Sequence, residues 1–256
     1  MDNFSISLNF ILMKKQDWFA NWFDTQYYHL LYQNRNEEEA KEFIQQIVAF
    51  LKLPINSKVL DLACGKGRHA QMFCQHGMQV LGVDLSPNSI AAAKQLENDK
   101  LSFSVHDMRE PIVGQKFDLI ANLFTSFGYF DDQRDNQKAF DTFSGGLKIG
   151  GLLVVDFFNP TYVLANLMPS ETVECQGISF RIKRWSEEGY LYKSIEFTDQ
   201  GKEYSFLEKV ELVAKNDFIS YAAQAGLSLV DLKGDYNLSA FDELESPRMI
   251  FIWAKK

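Results

Sequence analysis

The spacing of apolar residues changes rhythm along the chain. Over residues 15–53 it is helical: Trp18, Phe19, Trp22 and Phe23 form one group, and Phe43, Ile44, Ile47, Val48 and Leu51 form a second stripe. Leu53-Pro54 ends that second helix, because a proline ring pushes the residue before it out of the α region. From residue 57 short apolar runs alternate with helical stretches. The pattern predicts strands over 58–62, 79–83, 101–105, 117–121 and 150–158, and helices over 67–76, 87–97 and 133–144. Ser86-Pro87 opens the middle helix, with Ser as N-cap and Pro where its missing N–H is not needed. Strands separated by helices of this length build a parallel sheet covered on both faces.

After Pro160 the period becomes two. Ile178, Phe180 and Ile182 alternate with Ser179, Arg181 and Lys183, then turns at 186–189 and 199–201 separate runs at 190–197 and 203–213. This predicts a three-stranded antiparallel meander, too small to stand alone and therefore packed over the sheet as a lid. Asn216 is the expected cap of a last helix that Gly226 ends, and 227–232 and 249–254 supply two further strands. The expected architecture is a doubly wound, seven-stranded, mostly parallel α/β sheet. Residues 1–56 form a helical cap, 57–160 and 214–256 the sheet domain, and 161–213 the inserted antiparallel lid.

Composition narrows the partners. In 256 residues, 26 Lys+Arg against 34 Asp+Glu give a net charge of −8. No basic run exceeds Lys14-Lys15 or Lys255-Lys256, which argues against nucleic acid. No apolar run approaches the ~18 residues of a membrane span. The stretch Phe10-Ile11-Leu12-Met13 lacks the flanks of a signal peptide and reads as a loose extension. Cys64, Cys74 and Cys175 have no metal-site or disulfide spacing, so the expectation is a cytoplasmic protein with reduced thiols.

The chemistry concentrates in Val59-Leu60-Asp61-Leu62-Ala63-Cys64-Gly65-Lys66-Gly67-Arg68-His69-Ala70. A strand ends in an acid, a small-residue turn lets a ligand approach the backbone, and a helix N-terminus follows. Asp84, at the end of the next strand and 19 residues beyond Gly65, can accept both hydroxyls of a ribose. Gly65, Gly67 and Ala70 with Asp84 also satisfy the dinucleotide pattern, which keeps an NAD(P)-dependent oxidoreductase in view. Asp61 discriminates between the two: a carboxylate aimed into the turn repels a diphosphate and suits a cationic group such as an α-ammonium.

The segment 61–67 resembles the first motif of the class I S-adenosylmethionine-dependent methyltransferases, with Ala63 where glycine is more usual. Val80–Leu85 followed by Ser86, the turn His106-Asp107-Met108, and Phe117–Leu123 resemble their later motifs in order. The resemblance implies a Rossmann-like fold, S-adenosylmethionine as cofactor and S-adenosylhomocysteine as product. It implies that Asp61 and the backbone of Ala63, Cys64 and Gly65 hold the methionine amino end. Asp84 would take the ribose and Leu85 the adenine face. Asp107 would accept from the exocyclic amine, the Met108 N–H would meet a ring nitrogen, and Asn122 and Leu123 would flank the methionine. Tyr28 and Tyr32, one turn apart, resemble the Tyr-rich N-terminal helix of small-molecule methyltransferases that folds over the cofactor, with Arg35 a turn further. Structural duty is the competing reading for each: strand-end acid, helix cap, turn residue, core ring.

Methyl transfer from a sulfonium needs positioning and exclusion of water; a hydroxyl acceptor also wants a base, a neutral amine does not. None of His29, His69, His76 and His106 stands out as that base. The aromatic run 124–130, with Phe127 and Tyr129, follows the fourth strand at the sheet's carboxyl edge, where ligands bind, or else fills core. Asn159 and Tyr162 follow the fifth strand. Arg181 and Arg184, with Trp185, Tyr190 and Tyr192, would roof the site and could meet a substrate carboxylate, or be solvated strand-face charges. The expected activity is methyl transfer to a small molecule (amine, hydroxyl or acid); the alternatives are the oxidoreductase and a non-catalytic S-adenosylmethionine-binding protein.

Overall fold

A computed structural model describes residues 22–32, 37–130 and 132–256, without the side chains of Glu37 and Gln133. Trp18, Phe19, Arg35 and the stretch 10–15 lie outside the described residues. In chain order the elements are α1 (Gln26–Leu31), α2 (Glu37–Leu51), β1 (Lys58–Leu62), α3 (Arg68–Gln75), β2 (Gln79–Asp84) and α4 (Pro87–Ala93, extended by a 3-10 turn). Then come β3 (Leu101–Val105), β4 (Phe117–Asn122), α5 (Gln133–Gly146), β5 (Leu147–Phe158) and α6 (Pro160–Ala165). Four strands follow, β6 (Ser170–Cys175), β7 (Ile178–Glu187), β8 (Tyr190–Asp199) and β9 (Lys202–Glu211), before α7 (Lys215–Gln224), β10 (Leu227–Lys233) and β11 (Arg248–Lys255).

The large sheet runs β10-β11-β5-β4-β1-β2-β3, with β11 alone antiparallel to its neighbours. Its inner strands are mostly apolar because both faces are covered, whereas the edge strands β3 and β10 expose part of their length. Leu60, Leu62, Ile120, Leu153 and Val155 face α5 and α7, while Val59, Leu119, Ala121 and Val154 face α2, α3 and α4. The order brings the carboxyl ends of β3, β2, β1 and β4 side by side along one edge.

Three sequence-based expectations need correcting. The meander has a fourth strand: β6 pairs antiparallel with β7 from Ser170↔Lys183 to Cys175↔Ile178. Its alternation is mostly polar, which hid it. Ala214, not Asn216, is the N-cap of α7, and Asp217 closes the turn by accepting from the Ala214 N–H at 3.0 Å. The small sheet also has a core of its own. Phe180, Ile182, Ile195 and Phe197 pack on Trp22 and Tyr27, so residues 22–32 join the small sheet while α2 joins the large one.

Candidate active site

β1 ends by burying a carboxylate. Asp61 is 1% exposed, and its Oδ2 has no hydrogen-bond partner. Burial pushes its pKa up to about 7; the Ala70 amide and Arg68 pull it back, and Asp84 pushes it further. Three residues of the following turn are left-handed, with φ of 58° at Ala63, 55° at Gly65 and 84° at Gly67. The Cys64 N–H donates to Val83 O at 2.9 Å, and the Gly67 N–H to Cys64 O at 3.0 Å. A side chain at Gly67 would stand 2.5 Å from the Phe103 ring, whereas the space beside Gly65 is open. Burial pushes the Cys64 thiol up, so it stays protonated and inert.

Asp84 joins the turn to β2. Its Oδ2 accepts from the Gly65 N–H and its Oδ1 from the Ser86 N–H, both at 2.8 Å. Burial raises its pKa against those bonds. Leu85 follows, half-buried. Asp24, from the N-terminal segment, reaches the same place: it accepts from the Ser86 hydroxyl and, at 2.5 Å, from Asn88 Nδ2. At the end of β3 both Asp107 oxygens face Arg109, with contacts of 2.6 to 3.2 Å. Burial works against the Asp107 charge, yet the Arg109 bonds outweigh it and hold the carboxyl below its usual range. Met108 is half-buried beside it.

β4 ends in Asn122, fully buried, whose Nδ2 donates to Leu62 O at 3.2 Å and whose Oδ1 has no partner. Leu123 is buried. Phe124 and Thr125 are both left-handed, with φ of 57° and 59°. The Phe124 ring stacks on His69 (4.8 Å) and lies under Arg68 (5.1 Å), bringing the β4 exit against the start of α3. Tyr129 donates to Thr125 O at 2.9 Å and packs edge-on against Phe23 at 5.4 Å.

Several expected acceptor-side residues have structural work instead. Phe127 is 1% exposed and packs between Phe140, Phe218 and Phe130, so it fills the core behind the sheet. Asn159 caps α6, accepting from the Thr161 N–H while its amide donates to Glu243 O and Ser246 O. Arg181 is 68% exposed and pairs with Glu196, a solvated strand-face charge. Arg184 is held by Glu171. Trp185 and Tyr192 stack at 5.2 Å on the face opposite Ile182 and Ile195, away from the N-terminal segment. Tyr162 is half-buried on α6.

Tyr28 contacts Phe23 at 4.9 Å and Tyr32 at 4.8 Å, and so continues the aromatic row from Tyr129. Tyr32 departs from the expected role, because its hydroxyl donates to Glu208 on β9 at 2.8 Å and accepts from Lys193. His29 is half-buried; burial and nearby Lys66 lower its pKa to about 4. Asp24, Asp156, Glu208 and Arg248 were not singled out from sequence. Their partners lie 15 to 186 residues away, and no local pattern announces them.

Comparison with known proteins agrees with this geometry. A family model described as a methyltransferase domain matches residues 59–151. The dTDP-3-amino-3,4,6-trideoxy-alpha-D-glucopyranose N,N-dimethyltransferase of Streptomyces venezuelae is 28% identical over 217 residues, 81% of this chain and 91% of that one. A dTDP-3-amino-3,6-dideoxy-alpha-D-glucopyranose N,N-dimethyltransferase of Streptomyces fradiae is 28% identical over 63% of this chain and 64% of its own length. A solved S-adenosylmethionine-dependent methyltransferase from Clostridium acetobutylicum shares the fold at TM-score 0.76, with 21% identity, over 93% of this chain and 97% of that one. The unpartnered Asp61 Oδ2 beside the open Gly65 turn fits the amino end of S-adenosylmethionine, and no diphosphate suits that acid. The motifs in order, the sheet that carries them and these likenesses converge: residues 59–151 match a methyltransferase domain, and the chain has the fold of S-adenosylmethionine-dependent methyltransferases.

Proposed function

We propose that this methyltransferase acts on an amino group of a small polar acceptor of the amino-sugar kind. The observation that carries the cofactor side is the buried, partnerless Asp61 Oδ2 beside the open Gly65 turn. In this reading Asp61 and the backbone of Ala63, Cys64 and Gly65 hold the methionine amino end, and Asn122 and Leu123 flank it. Asp84 takes the ribose hydroxyls, Leu85 covers the adenine, and Asp107 and the Met108 N–H meet its edge. A carboxylate has about four lone-pair positions, so Asp107 can accept a further N–H while Arg109 orients it.

S-adenosylmethionine supplies an electrophilic methyl group on sulfur. The chain's own residues bind, orient and exclude water. Tyr28, Phe23 and Tyr129 form an aromatic row between the small sheet and the β4 exit, suited to the faces of a compact ring. The small sheet roofs this row as a lid, and Tyr162 is a further rim candidate. Of the described histidines, His106 Nε2 is tied to Glu110 O and His69 is stacked under Phe124, which leaves neither poised as a base for a hydroxyl. A neutral amine needs none, since its lone pair is already free to attack. Both dimethyltransferase relatives carry amino-sugar acceptors in their names, which supports the same class here.

Calorimetric titration with S-adenosylmethionine, S-adenosylhomocysteine, NADH and NADPH tests the cofactor side. Micromolar binding of the two sulfur nucleosides alone is expected, and binding of the nicotinamides alone would overturn the reading. Mass spectrometry after incubation with S-adenosylmethionine and an amino-sugar panel, alongside matched hydroxy sugars, tests the acceptor. Gains of 14 mass units confined to the amines are expected; methylation of the hydroxy sugars would reject the amine assignment.

A further inference from the structure

The two left-handed residues at the β4 exit are not glycines, and such backbone persists only where its surroundings impose it. One buried ion pair imposes it here. Asp156 on β5 is fully buried, and its Oδ2 accepts from the Phe124 N–H at 2.8 Å. The Asp156 main-chain oxygen accepts from the Thr125 N–H at 3.0 Å. Arg248 on β11 donates from Nε to Asp156 Oδ1 at 2.7 Å and from its second nitrogen to Thr125 Oγ1 at 2.9 Å. Three bonds from two neighbouring strands thus fix two consecutive residues, a fourth joins Asp156 to Arg248, and Tyr236, near Asp156 Oδ2 at 3.4 Å, stacks on the Phe124 ring at 5.1 Å.

The turn has one destination. β4 flanks β1 on the side away from β2 and β3, so the β4 exit lies beyond Asp61 while Asp84 and Asp107 lie on the other side. Phe124 meets His69 and Arg68 at the start of α3, whose Ala70 amide and Arg68 charge also act on Asp61. We infer that Asp156 and Arg248 are positioning residues for the amino-acid end of the cofactor: they hold the turn that walls this end, and leave the nucleoside end to β2 and β3. The inference rests on the cofactor placement proposed above.

The test compares S-adenosylhomocysteine with 5′-methylthioadenosine, which keeps the nucleoside and sulfur but lacks the amino-acid end. The double variant Asp156→Val/Arg248→Met removes both charges together, so no unpaired ion is left buried. Folding is checked by thermal melting, and both ligands are titrated by calorimetry. Affinity for S-adenosylhomocysteine is expected to fall about tenfold or more, with 5′-methylthioadenosine within twofold of wild type. If the double variant does not fold, Arg248→Lys decides by the same criterion: it keeps the charge but cannot serve Asp156 and Thr125 together, and a loss of about threefold is expected for S-adenosylhomocysteine alone. Unchanged affinity for S-adenosylhomocysteine in a folded variant, or equal weakening of both ligands, overturns the inference. Failure of the wild-type protein to bind S-adenosylhomocysteine would instead remove the cofactor placement beneath it.

Discussion

Tyr32 and Glu208, 176 residues apart in sequence, are joined by a 2.8 Å hydrogen bond that ties the N-terminal segment to the small sheet. The same Glu208 oxygen accepts from Trp22 Nε1 at 2.7 Å, and Lys193, its register partner on β8, is as buried as Glu208 itself. Removing this carboxylate strands two donors and a cation. Glu208→Ala is expected to destabilise the protein by about 2–4 kcal/mol and to release amide protection over residues 22–32. Urea unfolding and hydrogen exchange read both; protection unchanged over 22–32 would show that the segment is held by packing alone.

Phe127 makes the opposite point, because an aromatic run beside a ligand edge divides its side chains between two tasks. Phe127→Ala should cost about 3–5 kcal/mol through the cavity left among Phe140, Phe157 and Phe218. The folded fraction should bind S-adenosylhomocysteine with wild-type affinity. Weakened binding without loss of stability would return Phe127 to the pocket.

The parallel sheet was legible because its inner strands are apolar runs bounded by turn residues, because β3 alternates with a period of two, and because the Asp61–Gly67 turn is local in sequence. Seven residues suffice to write that turn. β6 was not legible: Ser170, Glu171, Thr172 and Glu174 give it a polar surface, and only its pairing with β7 makes it a strand. Asp156 and Arg248 were hidden for a related reason. Within an apolar β5 run one acid reads as an exception, and the partner that explains it is 92 residues downstream. Asn159 misled because the same side chain that could meet a ligand is also a good helix cap, and only the positions of Glu243 and Ser246 decide between them.

In the proposed arrangement Tyr129 stands where the two ligand sides meet. Its hydroxyl donates to Thr125 O and its ring meets Phe23 from the N-terminal segment, while Asp156 and Arg248 hold the turn itself. Tyr129→Ala is expected to leave S-adenosylhomocysteine affinity within about threefold of wild type. The KM for whichever amino sugar the panel identifies should rise about tenfold, a loss of binding shared by ground and transition states. Steady-state kinetics beside calorimetry separates the two, and an unchanged KM would take Tyr129 out of the acceptor site.

Asp61 gives the site a pH signature. With its pKa raised to about 7 by burial, the carboxyl is largely protonated at pH 6 before ligand arrives. An α-ammonium against Oδ2 favours the charged form, so binding must expel that proton. The sign follows: affinity for S-adenosylhomocysteine rises with pH between 5.5 and about 7, by up to about tenfold per unit, and levels off above. His29 does not confuse the measurement, because its pKa near 4 keeps it neutral throughout this window. Calorimetry at pH 6 in two buffers of different ionisation enthalpy should show proton release approaching one per ligand bound. Asp61→Asn should abolish the release and flatten the pH dependence, at the cost of weaker binding at pH 8. Proton release that persists in Asp61→Asn would assign the titrating group elsewhere and leave the ammonium without its proposed partner.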